Sequence, residues 1–379
     1  MTAATRGERS VTVLASHHAS GPSMRRYGEL LAEAYRSAGW RVRVLKPRTW
    51  VSDRIGEDSV MRKGVVYLEK LILFPLTLPV LTRHDALVHV SDHSDAPWLR
   101  FVSRRAERLI TCHDLIAIHA AEGRLDAHRP RWTGRLYQRL ISDSLRGASA
   151  IAAVSEATLK DVRTAYPATP SRLLHNPLSP AVSSATVGLV DEGATPYLLV
   201  VSSSSWRKRR PLAVEAWQRL RAAVEPELRL VVVGDPFTPE ERAVIGGSPE
   251  EMPDVIVRSG LTDDELAHLY AGASALLQLS GQEGFGWPIV EANHWGTAAI
   301  CSELPVFREV GPHNVFVPDD MAVVDWNATW SAIRDPDRAT AVQEDARRFS
   351  PDAFAEQLNT IALDLVDTEH GARRTSRHS

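Results

Sequence analysis

The chain has 379 residues, 44% of them apolar and 24% charged, with a net charge of −3. That length is more than one hydrophobic core ordinarily serves and points to two domains, while the balanced composition excludes a disordered, fibrous or collagen-like chain. The small net charge hides an asymmetry: residues 1–190 hold 27 Lys and Arg against 17 Asp and Glu, about +10, and the remainder holds 17 against 30, about −13. A basic first half suits an anionic acceptor or membrane surface, and is also what an Arg-rich solvated surface looks like.

The N-terminus has no apolar run long enough for a signal peptide before a strand pattern begins at Ser10, so secretion is not expected. Cys112 and Cys301 fall in separate strand-like runs; buried reduced thiols and a reducing cytoplasm fit them. SVTVLAS (Ser10–Ser16) leads through a loop containing Gly21, where the chain can turn tightly, into a helix from about Met24 to Ala38. Strand patterns recur from Arg41, over Ala86–Asp92, Arg108–Asp114 and Ala150–Glu156. The apolar stretch Val65–Leu81 contains Glu69, Lys70, Pro75 and Pro79 and reads as a buried or interface-seeking helix that breaks at the prolines. Strands alternating with helices imply a parallel, doubly wound sheet.

Asn176–Pro196 shows neither helical nor strand period and reads as an interdomain linker. Strand patterns then restart over Tyr197–Ser204, Arg229–Asp235, Asp254–Gly260, Ala275–Ser280, Ala298–Ser302 and Asn314–Asp320. Helices are expected over Pro211–Ala222, Pro239–Ile245, Thr262–Ala271, Trp287–His294 and Val324–Ile333, and two more follow Asp335. The tail from Thr368 has no apolar pattern and is expected to be disordered.

Ligands of open parallel sheets collect beyond the carboxyl ends of strands, so those positions are where chemistry is sought. His113 closes one strand; a single such His serves as readily for a structural hydrogen bond as for a bound sugar. Arg207, Lys208, Arg209 and Arg210 follow the first strand of the second half; four adjacent cations are commonly a solvated face, but here they can clamp a diphosphate, a task assigned to Lys208. Gly234 ends the next strand, where a base or ribose can approach. QEGFGWPIVEANHWG, from Gln282, places Glu283, Gly284 and Gly286 before Pro288 and a helix start, an arrangement that suits a phosphate. The acidic pairs Asp92 with Asp95, Asp263 with Asp264 and Asp319 with Asp320 have no partner cluster at metal-ligand spacing and read as helix caps, so no metal is expected. Hydrolase-elbow, zincin, CxxC and P-loop motifs are absent.

Glu283 and Glu291, seven residues apart within EGFGWPIVEA, resemble the glutamate pair of retaining GT-B glycosyltransferases of the family 4 type (glycosyl transferases group 1), and CHDL at Cys112, AVSEAT at Ala153, LLHNPLSP at Leu173, LLVVSSSSWRKR at Leu198 and GPSMRRY at Gly21 are similar to that family's other segments in the same order. The resemblance implies two Rossmann-like doubly wound α/β domains facing across a cleft. Residues 1–180 form the acceptor-side domain, joined by a returning helix at about 350–367; residues 190–349 form the nucleotide-sugar domain; 368–379 are a disordered tail. It implies catalytic roles for His113, Lys208 and Glu283, and donor binding by Gly21, Arg207, Arg209, Gly234, Gly284, Phe285, Gly286 and Glu291, with Glu283 at the sugar and Glu291 at the ribose.

The activity so implied is metal-independent, retaining transfer of a hexose, mannose before glucose, from a GDP- or UDP-linked sugar to a glycan, lipid-linked or small-molecule acceptor. No cofactor and no nucleic-acid partner are expected. A cytoplasmic location is expected, and the basic first half together with the apolar segment Leu71–Leu81 makes peripheral contact at the inner face of a membrane a hypothesis. Two other readings fit the same features: a GT-B-shaped nucleotide-sugar epimerase or phosphorylase, and a non-catalytic sugar-nucleotide-binding partner of another transferase. The departures motivate the last one: Ser202 and Ser203 stand for the family's glycine and arginine, with Arg207 or Arg209 as substitutes for the latter. Trp287, Asn293 and Leu279 replace a usual Leu, Met and Pro.

Overall fold

A computed structural model describes residues 9–17, 22–47, 60–125, 129–186 and 195–375. The chain divides into two α/β units: unit 1 is Met1–His175 with Asp352–Ser379, and unit 2 is Asn176–Pro351.

Unit 1 is built on a parallel sheet of β1 (Ser10–Leu14), β2 (Arg41–Leu45), β3 (Leu87–Val90), β4 (Glu107–Cys112), β5 (Ala150–Ala153) and β6 (Ser171–Leu173), in the order β2-β1-β3-β4-β5-β6. LVHV and AIAA are buried throughout because helices cover both faces of a parallel sheet, which leaves no solvent side to mark by alternation. The helices are α1 (Pro22–Ser37), α2 (Val60–Leu68), α3 (Phe74–Leu81), α4 (Ile116–Ala121), α5 (Trp132–Leu145) and α6 (Glu156–Ala165). Ser155 caps α6 by accepting from the Thr158 N–H at 3.1 Å.

Unit 2 begins with α7 (Pro180–Ser183), then alternates β7 (Tyr197–Val201), α8 (Arg210–Ala223), β8 (Arg229–Val233), α9 (Pro239–Ile245), β9 (Val255–Arg258), α10 (Asp263–Gly272), β10 (Ala275–Gln278), α11 (Trp287–His294), β11 (Ala299–Ser302), α12 (Pro305–Val310) and β12 (Val315–Val317). Its sheet order is β12-β11-β10-β7-β8-β9, the dinucleotide-binding order when its strands are counted from β7. Capping boxes, Thr238 with Glu241 and Thr262 with Glu265, start α9 and α10. α13 (Trp326–Ile333) and α14 (Pro336–Arg347) complete the unit, and α15 (Pro351–Thr375) carries the chain to unit 1. There Trp40 Nε1 donates to Asn359 Oδ1 at 2.8 Å, and Leu358 and Ala362 are buried.

Four expectations are corrected. The helix over Val65–Leu81 does not break at its prolines: a π-turn over Glu69–Leu73 joins α2 to α3, Pro75 occupies the first turn of α3, and Pro79 lies within it. The wider turn absorbs the change in hydrogen-bond register that Pro75 imposes. The first sheet has a sixth strand, β6, three residues long and too short to show a period. The start of the expected linker is ordered into unit 2: the Leu178 N–H donates to the Phe349 carbonyl at 2.7 Å, and Val182 is fully buried. Finally, α15 continues to Thr375, past the expected onset of disorder at Thr368, because extending an existing helix needs no further apolar contact.

A polar chain crosses the core of unit 1. Tyr35 Oη lies 3.0 Å from His89 Nδ1, and His89 Nε2 lies 2.9 Å from Thr111 Oγ1, which also meets Tyr27 Oη at 3.3 Å. Burial pushes the His89 imidazole down to about 3, so it is neutral in the folded protein. The unfolded imidazole binds its proton near pH 6.5, so folded stability is complete above that value and declines as pH falls toward 3, at about 1.4 kcal/mol per pH unit for one proton. His89→Gln keeps hydrogen-bonding atoms without the titration. Urea unfolding between pH 6 and 4 is expected to show a shallower loss of stability in that variant than in the wild type, and equal slopes would contradict the assignment.

Candidate functional site

From β7 the chain of unit 2 builds outward through β8 and β9, then crosses back to lay β10, β11 and β12 on the other side of β7. At such a switch point the loops leaving two neighbouring strands diverge and open a crevice at their carboxyl ends. Here the diverging segments are the single turn Trp206–Lys208 after β7 and the stretch Ser280–Gly286 after β10. They are tied together where the Gly281 N–H donates to the Arg207 carbonyl at 2.7 Å.

Glu283 occupies the centre. Its buried carboxylate accepts from Arg207 Nη1 at 2.6 Å, from Lys208 Nζ, from Ser280 Oγ at 3.0 Å and from Gln278 Nε2 at 3.2 Å. Burial disfavours the ionised carboxyl, but Lys208 and then Arg207 outweigh it and hold Glu283 below the usual carboxylate range. Two cations share one carboxylate, which leaves a surplus positive charge at the switch point. Ser280 and Gln278, which complete the shell, were not singled out in the sequence; their position within five residues of Glu283 at the strand end is the one signal by which they could have been found.

The other two cations go elsewhere. Arg209 is the one non-glycine residue with a left-handed backbone among the described residues, at φ 46°. Its guanidinium pairs with both Asp319 oxygens at 2.8 Å and donates to the Leu279 and Ser280 carbonyls at 3.0 and 3.1 Å and to Ser302 Oγ at 3.1 Å. These bonds offset a conformation that costs about 1–2 kcal/mol. Arg210 is buried, pairs with Glu241, donates to the Asp235 carbonyl at 2.5 Å and stacks 4.5 Å over Phe237. The run is therefore no solvated face: its side chains reach three separate carboxylates.

Gly234, at φ 149°, ends β8 against the end of β7, where a Cβ would overlap the Ser202 carbonyl oxygen. Gly284 is buried; Gly286, at φ 110°, caps the start of α11, and Phe285 packs edge-on to Phe349 at 5.4 Å. Glu291 lies one turn into α11 and accepts from Tyr270 Oη at 2.7 Å. Trp287, the unusual residue of the motif, donates its Nε1–H to the Pro177 carbonyl at 2.9 Å and so ties the helix start to the chain entering unit 2. Gly21 lies outside the described residues.

His113 belongs to unit 1, at the end of β4. Its Nε2 lies 3.0 Å from the Ser91 carbonyl and its ring meets Tyr27 edge-on at 4.6 Å. A carbonyl can only accept, so Nε2 carries the hydrogen and Nδ1 is the acceptor. Burial lowers its pKa against the pull of Asp92, which keeps the ring neutral. Asp92 caps the turn that follows β3, accepting from the Ser94 N–H at 2.8 Å, and Asp320 caps its own segment, but Asp95 and Asp319 pair with Lys70 and Arg209 instead, and beside Asp263 and Asp264 the cap is Thr262. Among the described residues no group of three His, Cys, Asp or Glu is placed to hold a metal ion.

Two outcomes follow for unit 2. Gly234→Ala forces β7 and β8 apart and is expected to lower stability by about 2–4 kcal/mol in urea titration. Glu283→Gln leaves Arg207 and Lys208 without their counter-charge and is expected to cost about 1–3 kcal/mol at pH 7. Because the folded carboxyl titrates below the unfolded one, the wild-type advantage is complete above about pH 4.3 and fades as pH falls through the lower folded value. The two stability curves should converge in acid; curves that stay parallel to pH 3 contradict the pairing.

Residues 190–347 match the family model described as Glycosyl transferases group 1. The chain is 35% identical over 77 residues to the serotype-specific mannosyltransferase WbdA of Escherichia coli, and 37% identical over 100 residues to an MMP alpha-(1->4)-mannosyltransferase of Mycolicibacterium hassiacum. These matches take in 18% and 26% of the chain, and span only 9% and 24% of the relatives' lengths. Over 95% of the chain and 100% of the other, the fold matches sucrose-phosphate synthase of Thermosynechococcus elongatus at 20% identity and a TM-score of 0.72. HepE of Anabaena, solved in complex with UDP and glucose, matches over 93% of this chain and 99% of its own at 14% identity and a TM-score of 0.63. The fold is the one these glycosyltransferase structures share.

Proposed function

We propose that the chain, with its glycosyl transferases group 1 domain over residues 190–347, is a retaining hexosyltransferase that takes its sugar from a nucleoside diphosphate donor held by unit 2. The observation that carries this reading is the Arg207–Glu283–Lys208 cluster at the switch point of a sheet with dinucleotide-binding strand order. When the bond between the sugar and the diphosphate breaks, negative charge gathers on the leaving phosphate, and fixed cations at its position stabilise the transition state more than the ground state. Lys208 and Arg207 supply that charge. Glu283 is ionised by their presence, so it accepts hydrogen bonds from sugar hydroxyls and holds both cations in place. The leaving phosphate oxygen then takes the proton of the acceptor hydroxyl on the face from which it departed, which retains the configuration at the anomeric carbon. The ribose falls to Glu291, and the close approach of backbone at Gly234 suits the nucleoside.

Mannose is the preferred sugar in this proposal, since both curated relatives are mannosyltransferases by name. The acceptor is assigned to unit 1, where the neutral His113 offers one hydrogen-bond acceptor atom. A thermal-shift series with GDP, UDP and ADP should show one nucleoside diphosphate raising the unfolding temperature, with an effect of about 2.7 kcal/mol at a hundred times its dissociation constant. With the matching sugar donor, Lys208→Ala should lower turnover by about 10²–10³-fold while the variant stays folded, and a chelator should leave the wild-type rate unchanged. Full turnover in the Lys208→Ala protein would falsify the assignment.

A further inference from the structure

Unit 1 leaves an apolar surface uncovered. The continuous helical run Gly64–Leu81 is long and apolar enough to cross a membrane, yet only 22% of it is buried. Its inner side is fixed to the domain: Phe74 and Leu78 are buried, Phe74 meets Trp98 edge-on at 4.9 Å, and Trp98 Nε1 donates to the Lys70 carbonyl at 2.8 Å. Lys70 Nζ pairs with the buried Asp95 at 2.6 Å, and Asp95 also accepts from Ser16 Oγ at 2.8 Å. A spanning helix would have to drag this ammonium away from its carboxylate into hydrocarbon. The run therefore lies along the domain, and its outer side presents Tyr67, Ile72, Leu76 and Val80 at 54%, 51%, 62% and 64% exposure.

A second strip adjoins it. α5 is linked to α2 through the Tyr67 and Tyr137 rings, 6.2 Å apart, and presents Trp132 and Leu136 at 70% and 60% exposure. Arg131, Arg135 and Arg139 stand on or beside the same helix, and their side chains make no ion pair among the described residues. A cavity of about 830 Å³ is lined by Ile118, Trp132 and Leu136 together with Arg135 and Arg139, while the two carboxylates at its edge, Glu122 and Asp143, are paired with Arg124 and Arg146. Cations that keep no carboxylate partner beside exposed aromatic and aliphatic side chains match a surface that is apolar inside and anionic at its rim. A second copy of the same face would bring the arginines against one another.

We propose that this face of unit 1 docks on an anionic lipid bilayer, with the α2–α3 run lying in the boundary between headgroups and acyl chains and the α5 arginines on lipid phosphates. The surface is separate from the unit 2 cluster, so this proposal and the transferase reading fail independently. The test is co-sedimentation of the full chain with phosphatidylcholine vesicles, with and without phosphatidylglycerol. Binding to the anionic vesicles alone is expected, with a blue shift of tryptophan emission, and it should weaken as salt is raised. Replacing Arg131, Arg135 and Arg139 together by Gln should lower partitioning on the order of a hundredfold, at about 1 kcal/mol per basic residue. Leu76→Asp with Val80→Asp, both at exposed positions, should abolish the blue shift while far-UV dichroism stays unchanged. Absence of binding to anionic vesicles at low salt overturns the proposal, as does binding that neither variant changes. A lipid-free dimer lost in the Leu76→Asp, Val80→Asp protein, with no vesicle binding, assigns the face to a second copy instead.

Discussion

The buried Glu283 carboxylate between Arg207 and Lys208 is the interaction on which the rest of unit 2 depends. A buried carboxylate is tolerated only with its lone pairs filled and its charge matched, and here three donors from two loops and a fourth from the end of β10 do both. The pairing therefore fixes how the loops after β7 and β10 lie relative to one another. Its imbalance, two cations to one carboxylate, also leaves a net positive charge at the switch point. The same contacts that hold the loops also hold these charges in place.

The strained backbone nearby serves the same loops. Arg209 turns the chain from the Trp206–Lys208 turn into α8 through a left-handed conformation, and its guanidinium bonds to the ends of β10 and β11 and to Asp319. With that side chain spent on the scaffold, Arg207 is left as the guanidinium next to Lys208. Unit 1 uses a related device at its own reversal between β1 and β3, where Lys70 pairs with Asp95, which also accepts from Ser16. There the cation comes from an apolar helix, and the π-turn at Glu69–Leu73 lies where that helix meets its polar partners.

Much of this was legible in the linear chain. Short apolar strands between helical periods mark parallel sheets because both faces must be covered, and every strand of unit 2 was expected close to where it lies. Lys208 stood out because it follows a strand, and strand ends of an open sheet are where ligands gather, whereas Glu283 stood out because two glycines, a proline and a helix start follow it. The failures have a shared cause. The π-turn before Pro75, the strand β6 and the ordered segment around Leu178 are stabilised by partners remote in sequence, and local periodicity carries no trace of them.

The sequence by itself determined two doubly wound units, the order of their strands along the chain, and a loop that joins Glu283 to the start of α11, because periodicity, glycine and proline act over a few residues. Only the tertiary structure decided that four consecutive cations divide among Glu283, Asp319 and Glu241, and that Trp287 reaches back to Pro177. These choices depend on which strand ends become neighbours. That is set by sheet order, and a charge finds its partner through space across 31 to 110 residues of chain.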